Sequence, residues 1–385
     1  MNAIRNALLA GAALAAVPAA AGAQDSLKIG YLGGLTGYLA PFDQPSLAGV
    51  EVAVDEINAA GGIGGSIPIE LIVRDMRSDT AQASAMAQEL VGDGIGVLIS
   101  PCDVDPSIAA GLIAQAALVP AITSCASTPT LPGTVGEYMF SNYTADNLQA
   151  AALAEFATAQ GYKTAWVMLS PDTPYTQRLP EYFAEAFTIM GGTVLDTVEY
   201  TMGQQDFSAE VTNIASMDPL PDVIMTSAYE PDFPAFIRAL RGAGIETPVL
   251  GSDGIDSPTT TALGDVAEGV VFTNAGYPSE GSALADFYAR YEAFHGSAAE
   301  TAYTATGYDM IKVIEAAVIA AGSTEGAAIR DAIDAVEGVQ GATGLISYAG
   351  GTRVPLRNVA LNRVTGGHVE HVADVTPSPD HIPAP

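Results

Sequence analysis

Along this chain, short apolar runs alternate with longer stretches in which apolar residues recur every three or four positions. Residues 27–32, 67–74, 96–100 and 120–123 read as strands. Between them the spacing predicts helices over 46–60, 80–91 and 106–118, the first ended by Gly61-Gly62. A helical turn or short loop follows Thr128-Pro129. A second set begins after "YMFSNYTADN" (138–147), with helices over 147–159, 175–190, 207–216 and 232–242. Its strands fall at 164–169, 193–200, 223–226, 248–251 and 269–273, with a short helix near 258–263. Amphipathic helices follow over 283–295, 302–321 and 325–336. Residues 355–372 alternate apolar and polar positions around "TGG" (365–367) and predict a hairpin. The Pro-rich residues 376–385 are expected to be disordered.

Strand and helix in alternation imply an α/β protein, with parallel sheets covered by helices on both faces. Two successive units of similar size imply two lobes. Ligands of such sheets bind outside the carboxyl ends of the strands, so a cleft between the lobes is the natural site.

The first 23 residues stand apart. Arg5 precedes an apolar run over 7–17, and "AGA" (21–23) is a small-residue cleavage signature, so 1–23 is expected to be a cleaved signal peptide. That run is too short to span a bilayer. No Cys follows the cleavage site, so the mature protein is expected to be exported, free of a lipid anchor, and periplasmic. Lys and Arg number 14 against 44 Asp and Glu, a net charge of −30. The acids are spread along the chain, which speaks for solubility and against nucleic acid or anionic membranes as partners.

Trp166 lies mid-strand in "AWVML" and reads as core. Four His, none before residue 295, and two Cys show no metal-ligand spacing, so neither metal nor cofactor is expected. No nucleophile–His pairing is visible, which excludes the usual hydrolases. "GGLTG" lacks the spacing of a dinucleotide or P-loop motif. Cys102 and Cys125 each follow one of two adjacent predicted strands. Export permits a disulfide between them, and the alternative is a pair of small buried thiols.

"GYLGGLTG" (30–37) followed by "VAVDEINAAGGIGG" (52–65) resembles the opening of leucine/isoleucine/valine-type (type I) periplasmic binding proteins of ABC transporters. The resemblance continues through "RDMRSD" (74–79), "SPCDVD" (100–105), "VPAITSCASTP" (119–129), "DTPYTQ" (172–177), "SAYEP" (227–231), "ALRGAGIETPVLGSDG" (239–254) and "TATGYDMIKVIEAA" (304–317). It implies two Rossmann-like lobes joined by three crossovers. One lobe would be 24–143 plus 277–355 and the other 144–276 plus 356–375. It also implies a monomeric, non-enzymatic protein that closes on a small molecule and delivers it to an inner-membrane ABC permease. A ligand-sensing module of a signalling receptor or regulator is the alternative, since the same fold serves there.

The resemblance also implies site residues. Asp103 stands where the family offers a Ser to a ligand carboxylate. Cys125 and Ser127 stand where backbone groups and a hydroxyl bind ligand. Tyr175 and Tyr229 match second-lobe aromatics, and Asp253 matches the acid that meets an ammonium. Phe42, with Tyr38 nearby, matches an aromatic wall. The family's usual Cys in the 74–79 loop is absent, which leaves Cys125 as a replacement partner for Cys102.

The residues themselves add a second view of these positions. Pro106 suits the first position of a helix, which makes Asp105 its N-cap and leaves Asp103 over. Thr128 likewise reads as an N-cap, freeing Ser127. An ionised Asp103 at ~4 Å from a ligand carboxylate costs several kcal/mol at an effective dielectric near 20. Asp103 with Asp253 therefore suits a ligand carrying positive charge or several N–H donors, such as an amine, an amide or a basic amino acid derivative.

Overall fold

In the first strand, β1 (Leu27–Gly33), Ile29 and Tyr31 point to one face and Leu32 to the other, and each face meets helices. The computed structural model describes residues 26–348 and 351–385; the expected signal peptide lies outside the described residues. After β1 come α1 (Ala40–Ala59), β2 (Ile69–Asp75), α2 (Thr80–Gly92), β3 (Val97–Ser100), α3 (Val104–Ala116), β4 (Ala121–Thr123), α4 (Leu131–Val135) and β5 (Met139–Ser141). The five strands form one parallel sheet in the order β2-β1-β3-β4-β5.

The chain then crosses to a second unit: α5 (Asp146–Ala159), β6 (Thr164–Leu169), α6 (Pro174–Ile189), β7 (Thr193–Glu199), α7 (Ser208–Ala215), β8 (Val223–Thr226), α8 (Asp232–Gly242), β9 (Val249–Gly251), α9 (Pro258–Thr261) and β10 (Val271–Asn274). It returns to the first sheet with α10 (Ala283–His295), α11 (Tyr303–Ala321), α12 (Gly326–Asp334) and the small hairpin β11 (Val339–Gly341) and β12 (Gly344–Ile346). A third crossing delivers β13 (Val359–Thr365) and β14 (His368–Val375) to the second sheet, whose order is β14-β13-β10-β9-β8-β6-β7. The last two strands pair antiparallel, closed by Gly366 and Gly367, both at positive φ as a tight two-residue turn requires.

The second sheet is sandwiched like the first. Trp166, Met168, Ile224 and Phe272 face α7 and α8, while Ala165, Val167, Met225 and Val271 face α5 and α6. Trp166 is fully buried, and its Nε1–H donates to Asn213 Oδ1 at 2.8 Å. On the first lobe, α1 and α11 cross at backbone contact. A Cβ on Gly307 would lie 2.0 Å from the Ser46 carbonyl oxygen, so glycine is required there.

Local readings at four places are corrected. α1 begins at Ala40, six residues before the predicted start, with Pro41 in its first turn and Pro45 inside it, where the prolines had masked the periodicity. α3 begins at Val104 with Asp103 as its N-cap, so Asp105 is an exposed first-turn acid. Pro106 falls at the third helical position, where the backbone N–H is still one of the unbonded first four and its absence costs nothing. Thr128 does not cap α4; Thr130 occupies that position. The tail expected to be disordered lies along α5. There Glu155 accepts from Ser378 N at 2.8 Å and sits 2.6 Å from His381 Nδ1, and Asn147 Nδ2 donates to the Pro383 carbonyl at 2.9 Å.

The crossings are tied together. Arg357, on the third, donates to Asn142 Oδ1 on the first at 2.8 Å and lies 3.6 Å from Asp309 of α11. Asp309 is fully buried and also accepts from Thr343 N at 3.2 Å.

Candidate functional site

The loops after β3 and β4 of the first sheet and after β6, β8 and β9 of the second run toward each other. Between them is a cavity of about 30 Å³ lined by Phe42, Cys102, Asp103, Cys125, Ser127, Tyr175, Tyr229, Asp253 and Tyr303, among others. That is room for about two waters. None of the described lining residues is Lys, Arg or His.

Each side chain has a local reason for its position. Asp103 caps α3: Val104 N donates to its Oδ1 at 2.7 Å, and Tyr38 Oη donates to its Oδ2 at 3.2 Å. Tyr38 is 39% exposed and is not among the lining residues; it reaches Asp103 from outside the cavity. Burial raises the Asp103 carboxyl to about 6 against the opposing Val104 N–H, and the Asp105 charge adds to the rise.

Asp253 follows β9 and is held by two tyrosines from different elements. Tyr175 Oη, at the start of α6, donates to Oδ1 at 3.0 Å, and Tyr303 Oη, at the start of α11, donates to Oδ2 at 3.1 Å. Gly254 N in turn donates to Tyr175 Oη at 2.9 Å. Burial raises Asp253 to about 6, and the two tyrosine hydroxyls oppose the rise.

The aromatic rings form a continuous wall across the cleft. Phe42 of the first lobe meets Tyr229 of the second edge-to-face at 5.5 Å, and meets Tyr303 the same way at 5.4 Å. Tyr229 and Tyr175 lie 5.9 Å apart. Such a wall offers quadrupole faces to a cation as well as apolar area.

Cys102 and Cys125 are joined as a disulfide in the cavity wall, with Cα atoms 4.8 Å apart. It pins the β3 loop to the β4 loop. Behind it, Asp43 accepts from Cys102 N at 3.0 Å and Gly34 N at 2.6 Å, and so fixes the β1 and β3 loops to each other. Burial raises Asp43 to about 7, against these two N–H groups. Ser127 is 2% exposed, and its hydroxyl lies beside the buried Asp146 carboxyl.

The structure thus brings Phe42, Asp103, Cys125, Ser127, Tyr175, Tyr229 and Asp253 to one cavity and leaves Tyr38 at its edge. Among the polar lining residues, Tyr303 was missed. Tyr303 sits just before the "TATGYDM" stretch and looks locally like any helix start. Asp146, the first residue of α5, is fully buried behind the lining residue Ser127, whose carbonyl accepts from its backbone N at 2.9 Å.

The profile of the periplasmic binding protein family matches residues 26–368. This chain is a periplasmic binding protein. It is 28% identical over 345 residues to the "Leu/Ile/Val-binding protein homolog 3" of Brucella melitensis, covering 89% of this chain and 92% of that one. The crystal structure of a leucine-binding protein from Thermotoga maritima superposes with a TM-score of 0.84 at 27% identity, covering 91% of this chain and 99% of that one. A Rhodopseudomonas palustris ABC-transporter solute-binding protein in complex with benzoate shares the fold, with a TM-score of 0.81 at 20% identity, covering 91% and 97%. Members of this family bind and carry solutes for ABC transporters rather than turn them over, so this periplasmic binding protein is not an enzyme. Family membership implies a periplasmic location, and no helix among the described residues is long and apolar enough to cross a membrane.

Proposed function

We propose that this protein captures a small ligand bearing an ammonium or amidinium group, or several N–H donors, by hinge closure of its two lobes, and presents it to an ABC permease. One lobe comprises residues 24–143 and 277–355 and the other 144–276 and 356–375, preceded by a leader that is cleaved on export; the protein acts as a monomer. The observation that carries the reading is that Asp103 of the first lobe and Asp253 of the second line one cavity with no Lys, Arg or His among its described lining residues. A ligand carboxylate set beside either acid would meet repulsion of several kcal/mol at an effective dielectric near 20. A cation meets the acids and the aromatic faces of Phe42, Tyr175 and Tyr229 together. The Cys125–Ser127 loop supplies polar contacts to the rest of the ligand.

The relatives named for branched-chain amino acids favour a second reading. In it Asp253 takes an α-ammonium, and the Cys125–Ser127 loop takes a carboxylate despite Asp103. Isothermal titration of protein stripped of ligand by unfolding and refolding separates the two. The panel sets leucine, isoleucine and benzoate against agmatine and choline. The proposal expects cations to bind and Asp253→Asn to weaken them at least tenfold. Tight leucine binding that Asp103→Ser leaves unchanged would sink it.

A further inference from the structure

We propose that the turn after β9 and the start of α11 form a latch between the lobes, in which Asp256 caps α11 from the opposite lobe and the Tyr303 hydroxyl ties to Asp253. The inference rests on the lobe closure proposed above and is independent of the ligand's chemistry.

One half of the latch is a turn. Asp253 and Asp256 stand three residues apart around the 3-10 turn Asp253–Ile255, with Asp256 N donating to the Asp253 carbonyl at 2.9 Å. Side chains at that spacing share a side. Ile255, just before Asp256, is buried in the core of the second lobe and seats the turn. The other half is a helix start without a cap of its own. α11 has Ala302 as its N-cap residue, and alanine has no side-chain oxygen to offer there. The Ala302 N–H is one of the four that a helix leaves without an internal partner. It donates to Asp256 Oδ2 at 2.8 Å. The carboxylate also meets the positive end of the helix dipole. One residue on, Tyr303 Oη is shared between Asp253 Oδ2 at 3.1 Å and the Asp253 carbonyl at 2.8 Å. Phe42 holds the Tyr303 ring edge-to-face, and α11 is itself anchored on α1 through Gly307.

Position makes these bonds a latch. Apart from bonds at the crossings, near residues 142–147 and 357, they are the only side-chain hydrogen bonds between the two lobes among the described residues. All four residues are buried. Each acid also has a partner in its own lobe: Tyr175 for Asp253, and the side chain of Asn274 for Asp256. Parting the lobes therefore leaves neither carboxylate stranded, and water replaces the bonds that are lost, so the latch can open. Asp256 and Ala302 lie outside the lining of the cavity. They are positioning residues that act on closure without touching ligand.

The test uses the mature protein, stripped of ligand by unfolding and refolding, with Gln44→Cys and Thr259→Cys. These are exposed positions, one on each lobe, along the same groove outside the cavity. Joining of the two thiols by a short bis-maleimide follows the closed fraction, and hydrogen exchange of the 125–127 loop amides follows the open fraction. Small-angle X-ray scattering gives the radius of gyration. This parent is compared with Asp256→Ala, Tyr303→Phe and Ala302→Pro. Proline suits the φ of −71° at Ala302 and deletes the N–H while leaving the acid in place, so it stands in where Asp256→Ala disturbs the turn. Each change should lower the closed-to-open ratio about tenfold, the worth of one hydrogen bond to a charged group. It is read as slower joining or faster exchange, with a larger radius. Parent values of joining and exchange in Tyr303→Phe, or in both variants that break the Asp256 bond, overturn the latch while closure stands. A radius that is the same free and crosslinked, in the parent and in every variant, overturns the closure reading as well.

Discussion

Replacing Arg357 by Met probes the clamp that joins the lobe crossings. The guanidinium is nearly buried, 6% exposed, and lies 3.6 Å from a fully buried Asp309 while also donating to Asn142. Met retains much of the aliphatic volume and removes the charge. Asp309 keeps its donors at Ala342 N, Thr343 N and the Thr343 hydroxyl but loses its only ion-pair partner among the described residues. Removing one member of a buried pair costs about 3–5 kcal/mol, because the survivor's charge is left uncompensated. The sign with pH follows. Burial already raises Asp309 above the usual carboxylate range, with Arg357 as the leading opposing influence. Without Arg357 it is raised further. A raised carboxyl contributes stability below its unfolded pKa that is lost as pH rises through its folded pKa. The variant's deficit should therefore shrink as pH falls, as Asp309 takes a proton instead of needing a cation. Urea unfolding followed by the fluorescence of the single tryptophan, Trp166, measures it. A deficit below about 1 kcal/mol at pH 8, or one that grows as pH falls, would refute the reasoning.

Three further outcomes are expected. Cys102→Ser should destabilise the oxidised protein by about 3 kcal/mol, the loop-closure value for a bridge of this span; two reactive thiols in the denatured, unreduced wild type would show that the bridge does not form. Gly307→Ala pushes a methyl to 2.0 Å from the Ser46 carbonyl oxygen and should lower stability by about 3 kcal/mol through forced separation of α1 and α11, read as a fall in urea midpoint. The empty protein should gain thermal stability as pH falls from 8 to 5. Asp103, Asp253 and Asp256, each raised to about 6, and Asp43, raised to about 7, bind protons in the folded state that the unfolded chain does not yet bind. A melting temperature that falls monotonically over that interval contradicts this.

Much of this protein could be read from one dimension. The strands 164–169 and 223–226 and the helices 232–242 and 283–295 have the bounds that their periodicity predicts, because each buries a full face or stripe and the pattern is strong. Three-residue strands such as β5 and the β11–β12 hairpin carry too few positions to show a period, and they were not seen. Asp105 looked like a cap because proline favours the first helical turn; which of its first three positions Pro106 occupies is decided by where the β3 loop turns, and that placed Asp103 there instead.

The deeper division concerns the site. Alternation of strand and helix determined by itself that loops at strand carboxyl ends would carry function, and it put Asp103, Ser127, Tyr175, Tyr229 and Asp253 on such loops. Tertiary structure alone decided which side chains share a cavity and which partners they find. Asp253, for example, is held by two tyrosines that reach it from separate elements, Tyr175 of α6 and Tyr303 of α11. Hydrogen-bond satisfaction is a property of neighbours brought together from distant parts of the chain, and no local pattern encodes it.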